Sequence, residues 1–201
     1  MPRNPPDRPP VVAFHIHEWK RSVLEAYFPE WDFHYMPFFV DDAAFVDVWQ
    51  ARIAALDRPS VIVWGPNLPQ AAADFFASRD IPVHFIEDGF LRSVGGSAGQ
   101  SAPFSLTIDR QRPFFDSRGP SDLEDLLRTH DFDADPVLIE RARAGMAAML
   151  QHRIGKYGGQ RARGPVDLPK GPGPRVLVVG QVESDASIRY GSVRPILNND
   201  L

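Results

Sequence analysis

The sequence predicts an α/β fold with a mostly parallel sheet, on three observations. Short apolar runs, Val11 to Ile16 (VVAFHI) and Ser60 to Trp64 (SVIVW), carry apolar residues on consecutive positions, as strands buried on both faces do. Segments with helical spacing follow these runs. Small or polar residues stand where each run ends, at Gly65-Pro66 and at Glu87-Asp88-Gly89. The chain has 201 residues, 43% of them hydrophobic and 24% charged, enough for one full core or for one domain and the start of another. Its net charge of −4 argues against a broad basic nucleic-acid footprint. It has no cysteine, which excludes disulfides, thiolate metal sites and cysteine nucleophiles and fits a cytoplasmic address. No apolar run approaches the ~20 residues of a membrane span, and the Pro- and Arg-rich start has no signal-peptide core.

Taken in order, residues 1–10 read as a disordered tail, and 11–16 as the first strand. A helix is expected around Trp19 to Tyr27. A second strand spans Phe33 to Val40, weakened by Pro37. Asp41 and Asp42 are N-cap candidates for a helix whose Phe45, Val48, Trp49, Ile53 and Leu56 share one face. After the strand at 60–64, Pro69 at a first helical position opens a helix to about Ser78. Val83 to Ile86 is the next strand. Phe104 to Ile108 and Pro113 to Phe115 suggest a short antiparallel hairpin. Ser121-Asp122-Leu123-Glu124 has the S-x-x-E form of a capping box. Asp135 and Pro136 start another helix, with Leu138, Ile139, Ala142, Met146 and Met149 as an apolar stripe expected to pack in the core. The Gly/Pro-rich segment 155–174 reads as a linker, and Arg175 to Val179 as a fresh buried strand. The domain division is therefore 11–154, a linker at 155–174, and the start of a second α/β unit over 175–201.

Ligands of open α/β sheets bind beyond the carboxyl ends of the strands. Three segments fall there: Trp64-Gly65, Glu87-Asp88-Gly89 and Gln181 to Asp185. In an extended chain adjacent side chains point to opposite faces, so one of Glu87 and Asp88 would face a cleft; both also suit a solvated turn. Asp185 and Glu183 are cleft candidates, or a helix N-cap and a loop charge. Arg92, Arg189 and Arg194 could pair with an anion or be surface charges. His15 and His17 form H-x-H without a third ligand at a legible spacing, so no metal is expected. His84 reads as a strand side chain, and Gly95, Gly96 and Gly99 as a flexible loop rather than a dinucleotide fingerprint.

Several ordered blocks resemble the bacterial capsule polysaccharide synthesis and export proteins. Residues 87–95, EDGFLRSVG, are similar to that family's signature. Pro103, Ser105, Leu106 and Asp109 match its P-x-S-L-x-x-D segment, with Phe104 in its Pro-Pro-Leu-Ser-Leu run. Phe114-Phe115-Asp116 and Gly119 to Glu124 follow its pattern, Gly155-Lys156-Tyr157 echoes a Ser-Lys-Tyr-like element, and residues 180–191 resemble its GQVE-x-DASIR-x-G block.

The resemblance implies a GT-B-like enzyme of two Rossmann-type domains, of the retaining β-Kdo glycosyltransferase type, with this chain carrying the first domain and only the start of the second. It implies CMP-Kdo as donor, a lipid-linked glycan as acceptor, no metal and no other cofactor, and other capsule assembly proteins as partners. The lipid acceptor would bring the protein to the inner-membrane surface. In such enzymes the Q-x-x-x-D block carries the catalytic Asp, here Asp185 after Gln181, and the EDG glutamate, here Glu87, is assigned acid/base work. Gln181, Asp88, Gly89, Arg92, Ser93 and Arg189 would serve substrate binding. The family's second domain continues with a Lys-Pro-His-Pro-like motif for the cytidine phosphate, absent before Leu201. A non-catalytic assembly or export factor that binds a lipid-linked glycan is the second expectation.

Overall fold

The computed structural model describes residues 8–93, 101–156, 171–192, 194 and 196–198. The first part of the chain builds one five-stranded sheet. Its elements are β1 (Pro10–Phe14), α1 (Glu18–Tyr27), β2 (Asp32–Tyr35), α2 (Asp42–Ala44), a π-helical turn (Phe45–Trp49), α3 (Gln50–Ala54), β3 (Ser60–Trp64), α4 (Gln70–Ser78), β4 (Val83–Asp88) and β5 (Leu106–Asp109). Three helices follow: α5 (Asp122–Thr129), α6 (Pro136–His152) and α7 (Ala186–Tyr190).

The strand order is β2-β1-β3-β4-β5. β1, β2, β3 and β4 pair in parallel, and β5 lies antiparallel to β4. The expected α/β class is therefore observed. Alternation along the strands divides the core in two. Val12, Phe14, Val61 and Val63 face Phe45, Ile53, Phe75 and Phe76 on one side. Val11, Ala13, Ile62 and Ile86 face Leu24 of α1 on the other. Both faces of β1 and β3 are covered, which is why their sequences are apolar at consecutive positions.

Several expectations are corrected. β2 ends at Tyr35, with Met36 still donating to the Ala13 carbonyl at 2.9 Å, because Pro37 offers no N–H to continue the ladder. Asp41 caps α2 by accepting from the Ala44 N–H. The π-helical turn inserts a wider i→i+5 step, so the expected stripe loses register: Phe45 and Ile53 are buried while Val48 is exposed. Pro69 is the N-cap of α4 rather than its first helical residue. Phe104 to Phe115 is no self-contained hairpin. β5 pairs with β4 instead, and 113–116 forms a turn in which the Asp116 N–H donates to the Pro113 carbonyl at 2.8 Å. Asp135 does cap α6, with Pro136 at its start, but the α6 stripe is not core: Met146 is exposed and no α6 residue is buried, since no described segment covers that face. Residues 175–179 are irregular and exposed. A parallel strand needs a neighbour for its N–H and C=O groups, and the described residues offer none. Gly95, Gly96, Gly99, Tyr157 and most of 155–174 lie outside the described residues.

Candidate functional site

The strand order reverses direction at β1/β3, and the connections leaving the carboxyl ends of β1, β3 and β4 meet along one edge of the sheet. Two of these exits are bent into left-handed backbone, His15 at φ 58° and Gly65 at φ 69°. Gly65 adopts this freely, whereas at His15 it is strained. The strain is held by packing: His15 meets the Phe38 and Phe39 rings edge-on, and His17 stacks on Phe38 at 4.0 Å between centroids. Burial, and then the neighbouring His17, lower the His15 pKa. No cluster of three metal-ligating side chains occurs among the described residues. His84 sits in β4, level with Ile62 of β3.

At the end of β4 the two adjacent carboxylates do point apart. Asp88 faces α1, where it receives Arg92 Nε at 2.5 Å and lies 3.7 Å from Lys20 Nζ. Glu87 shares its face with Phe85 and borders a cleft of about 220 Å³ lined by Phe90, Thr107, Phe114, Leu123 and Leu126. Its Oε1 accepts from the Trp64 indole N–H at 3.0 Å and from the Asp88 backbone N–H at 2.9 Å. Burial raises the Glu87 pKa above the ordinary value, against the pull of the Asp88 N–H and of Lys20. Lys20 is 6% exposed, its ammonium 3.2 Å from the centre of a Trp64 ring. Its pKa falls to about 8, because burial outweighs Asp88 and Glu87. Two larger cavities, one of about 570 Å³ around Arg58, Ser60, Arg79 and Pro82 and one of about 580 Å³ around Arg8 and Asp57, open at the opposite end of the sheet, away from every candidate side chain.

The segment after β4 is tied to two distant blocks. The Gly89 N–H donates to the Ser105 carbonyl at 2.8 Å, and a Cβ at Gly89 would lie 2.2 Å from Ser105 Oγ, so no side chain fits there. Ser105 Oγ donates to the Leu91 carbonyl at 2.7 Å. The Arg92 N–H donates to the Lys156 carbonyl at 2.9 Å, and Arg92 and Ser93 are both buried. The blocks at 87–93, 103–106 and 156 therefore form one connected unit.

A second unit is organised by buried carboxylates. Asp109 at the end of β5 accepts from the N–H groups of Gln111, Arg112 and Asp122 at 2.8, 2.9 and 2.7 Å. Asp116 accepts from Arg118 Nε at 2.8 Å and Nη2 at 2.7 Å, and this pair holds its pKa below the usual carboxylate range. Ser121 caps α5 through the Glu124 N–H, as its S-x-x-E pattern predicts. The short helix α7 docks here. Ser117 donates to the Tyr190 carbonyl through its N–H at 2.7 Å and its hydroxyl at 2.8 Å, and the Arg118 guanidinium lies 3.9 Å over the Tyr190 ring.

Asp185 is the N-cap of α7, accepting from the Ser187 N–H at 2.8 Å and hydroxyl at 2.7 Å. Gln181 is exposed; its N–H donates to Asn198 Oδ1 and its Oε1 accepts from the Val182 N–H. Glu183 accepts from the Asn198 N–H at 3.3 Å. Arg189 is exposed beside the Tyr190 ring, and Arg194 is exposed with its carbonyl bonded by Ser192. The structure thus brings Glu87, Asp88, Gly89, Arg92 and Ser93 together, and Gln181, Asp185 and Arg189 into a separate cluster. Among the described residues no hydrogen bond or ion pair joins Asp185 to Glu87. Sequence reasoning missed Lys20, and it placed Trp64 at a strand end without its bond to Glu87. The available signal for Lys20 was its spacing from Leu24, which puts it on the core face of α1.

The fold is a mostly parallel α/β sheet with Glu87 and Asp88 at its carboxyl edge and the blocks at 103–106 and 156 folded against the segment that follows them. Residues 59–170 match the capsule polysaccharide biosynthesis protein family, and the chain belongs to it. It is 35% identical over 194 residues to the lipopolysaccharide-processing protein LpsZ of Rhizobium meliloti, covering 96% of this chain and 43% of that protein. It is 34% identical over 151 residues to the capsule polysaccharide modification protein LipA of Neisseria meningitidis serogroup A, covering 75% of this chain and 21% of LipA. Among solved structures, Thermosulfurimonas dismutans KpsC, beta Kdo 2,7 transferase, superposes with a TM-score of 0.56 at 25% identity, over 90% of this chain and 51% of that one. Its beta Kdo 2,4 transferase superposes at 0.59 with 24% identity, a likeness of fold. The expected GT-B-like class is thereby supported, and the chain spans about half the length or less of these relatives.

Proposed function

We propose that this chain contributes the acceptor-side half of a retaining Kdo transferase of capsule polysaccharide synthesis. On this reading residues 11–154 form the acceptor-side domain, 155–174 the linker, and residues from 175 the beginning of the nucleotide-sugar domain. The donor is CMP-Kdo and the acceptor a lipid-linked glycan. The observation that carries the reading is Glu87, a half-buried carboxyl at the carboxyl edge of the sheet that borders a cleft and whose pKa is raised by burial, in a fold similar to that of a known Kdo transferase.

The reaction is a double displacement. The Asp185 carboxylate attacks the anomeric carbon and CMP departs with the electron pair of the broken bond. The acceptor hydroxyl then displaces Asp185 by attacking the face that CMP left, giving up its proton to Glu87. Arg92, Ser93 and Gly89, expected to bind substrate, are proposed instead to support the site: Arg92 and Ser93 are buried and hold the turn that presents Glu87, and Gly89 lets that turn close against Ser105. Asp88, Gln181 and Arg189 are proposed to bind substrate. No metal takes part in these steps.

The test is incubation of this chain, joined to the remainder of the nucleotide-sugar domain that the reading requires, with CMP-Kdo and a lipid-linked glycan, followed by mass spectrometry. CMP release with a Kdo-extended glycan, lost in Asp185→Asn and Glu87→Gln, supports the transferase. Glycan binding without CMP release supports the assembly or export factor.

A further inference from the structure

We propose that Lys20 and Trp64 are positioning residues that decide which oxygen of Glu87 meets the substrate: the indole N–H holds Oε1 against the protein, the Lys20 ammonium holds the indole, and Oε2 is the atom that exchanges the proton. The inference rests on the acid/base reading of Glu87. Its geometry is independent of that reading.

A carboxylate oxygen offers two lone-pair directions in its plane. On Glu87 Oε1 both are taken, by Trp64 Nε1 at 3.0 Å and by the Asp88 N–H at 2.9 Å. Oε2 points instead toward Gly65, where even a Cβ would remain 3.7 Å away, and the left-handed backbone at φ 69° favours the absence of a side chain. One oxygen is thus occupied by the fold, and the other faces a glycine.

Lys20 is not a stray charge. It is buried on the core face of α1 and its Nζ sits 3.2 Å from the Trp64 ring centre. A cation on the face of an indole is attracted by the ring quadrupole. It also draws ring electron density toward itself, which leaves the N–H more positive and a stronger donor to Glu87. The ammonium therefore acts on Glu87 twice, through space and through the indole. The charged groups around the pair are Asp88 and Arg92 beside Lys20, with Asp109 of β5 and Asp122 of α5 across the cleft from Glu87. Asp88 is bonded by Arg92 through Oδ2 and faces Lys20 through Oδ1 at 3.7 Å, so the Lys20 charge is shared between Asp88 and Glu87.

The reporter is the Trp64 indole N–H resonance, read by proton–nitrogen NMR of the intact chain from pH 4 to 9 and assigned through Trp64→Phe. The resonance is expected to titrate with Glu87, and Glu87→Gln is expected to abolish that titration. Lys20→Met removes the cation that favours the carboxylate, so the midpoint moves to higher pH by about one unit, the low end of the effect of a nearby opposite charge. Lys20→Arg keeps the charge and most of the wild-type midpoint. Where Lys20→Met fails to fold, Trp64→Phe serves, with the Glu87 carboxyl carbon as reporter and the same upward movement expected. Lys20, whose own pKa is about 8, adds a separate step at the top of this range. An indole resonance with no step at lower pH, a lower-pH step that survives Glu87→Gln, or a midpoint equally displaced by Arg and Met overturns the proposal. These readouts need no turnover, so loss of the acid/base reading would show separately, as transfer that persists in Glu87→Gln.

Discussion

Asp109 offers the sharpest test of how the second unit is held. Its carboxylate is buried and accepts three backbone N–H groups, from Gln111 and Arg112 on Oδ1 and from Asp122 on Oδ2. Hydrogen bonds to a charged group contribute about 1.5–3 kcal/mol each. Three that share one acceptor do not add fully, so Asp109→Ala is expected to cost about 3–5 kcal/mol. For a chain of this size that corresponds to a fall in Tm of about 6–20 °C. Asp109→Asn discriminates further. Its amide oxygen can serve Gln111 and Arg112, but its NH2 then faces the Asp122 N–H, a loss of about 1–3 kcal/mol. Urea unfolding followed by circular dichroism should rank wild type above Asn above Ala. A cost below about 1 kcal/mol for Ala would refute the assignment of this carboxylate as the clamp of β5 and α5.

Other perturbations have equally definite outcomes. Gly89→Ala places a methyl into Ser105, and a lowered Tm together with loss of order at 89–93 by hydrogen exchange is expected; an unchanged Tm would contradict the close approach. Phe76→Ala empties a fully buried site between Phe14, Phe45 and Phe75, and denaturant unfolding should show a loss of about 3–5 kcal/mol. Asp122 is held down to about 2 by Arg110, so its contribution is present above the unfolded carboxylate pKa and is lost as pH falls from about 4 toward about 2. Asp122→Asn should flatten acid unfolding in that window, modestly because Arg110 is largely exposed. Asp185→Asn keeps a side-chain acceptor for the Ser187 N–H, so Tm is expected to hold within about 1 °C while any transfer activity disappears.

The sheet was legible where burial is symmetrical. Val11 to Phe14 and Val61 to Val63 are covered on both faces, and that pressure alone makes consecutive positions apolar. The 2-1-3-4 order was not legible, because strand pairing joins residues far apart in sequence. The same reason hid the Trp64–Glu87 bond: it depends on the register that sets Trp64 beside Ile86, which neither segment contains by itself. The α6 stripe misled because an apolar face states only that a partner would be favourable, and burial is a property of the partner. Lys20 went unread, since a lysine is ordinarily a surface residue and here its burial depends on Trp64 and Asp88. Glu87 and Asp88 were separable in advance, because alternation along a strand is local.

The ties that frame the site span long stretches of chain. Tyr27 reaches the Pro103 carbonyl across 76 positions, and Ser117 reaches Tyr190 across 73. Each link closes a large loop whose entropy is lost before the contact forms. The parallel strands can condense around Phe14 and Phe76 first, and the carboxyl edge is assembled only when these distant segments arrive. The order of disassembly follows in reverse. In native-state hydrogen exchange, amides of Val61 to Val63 should open only with the whole molecule, while those of Gly89, Arg92 and Ser117 open at a lower free energy.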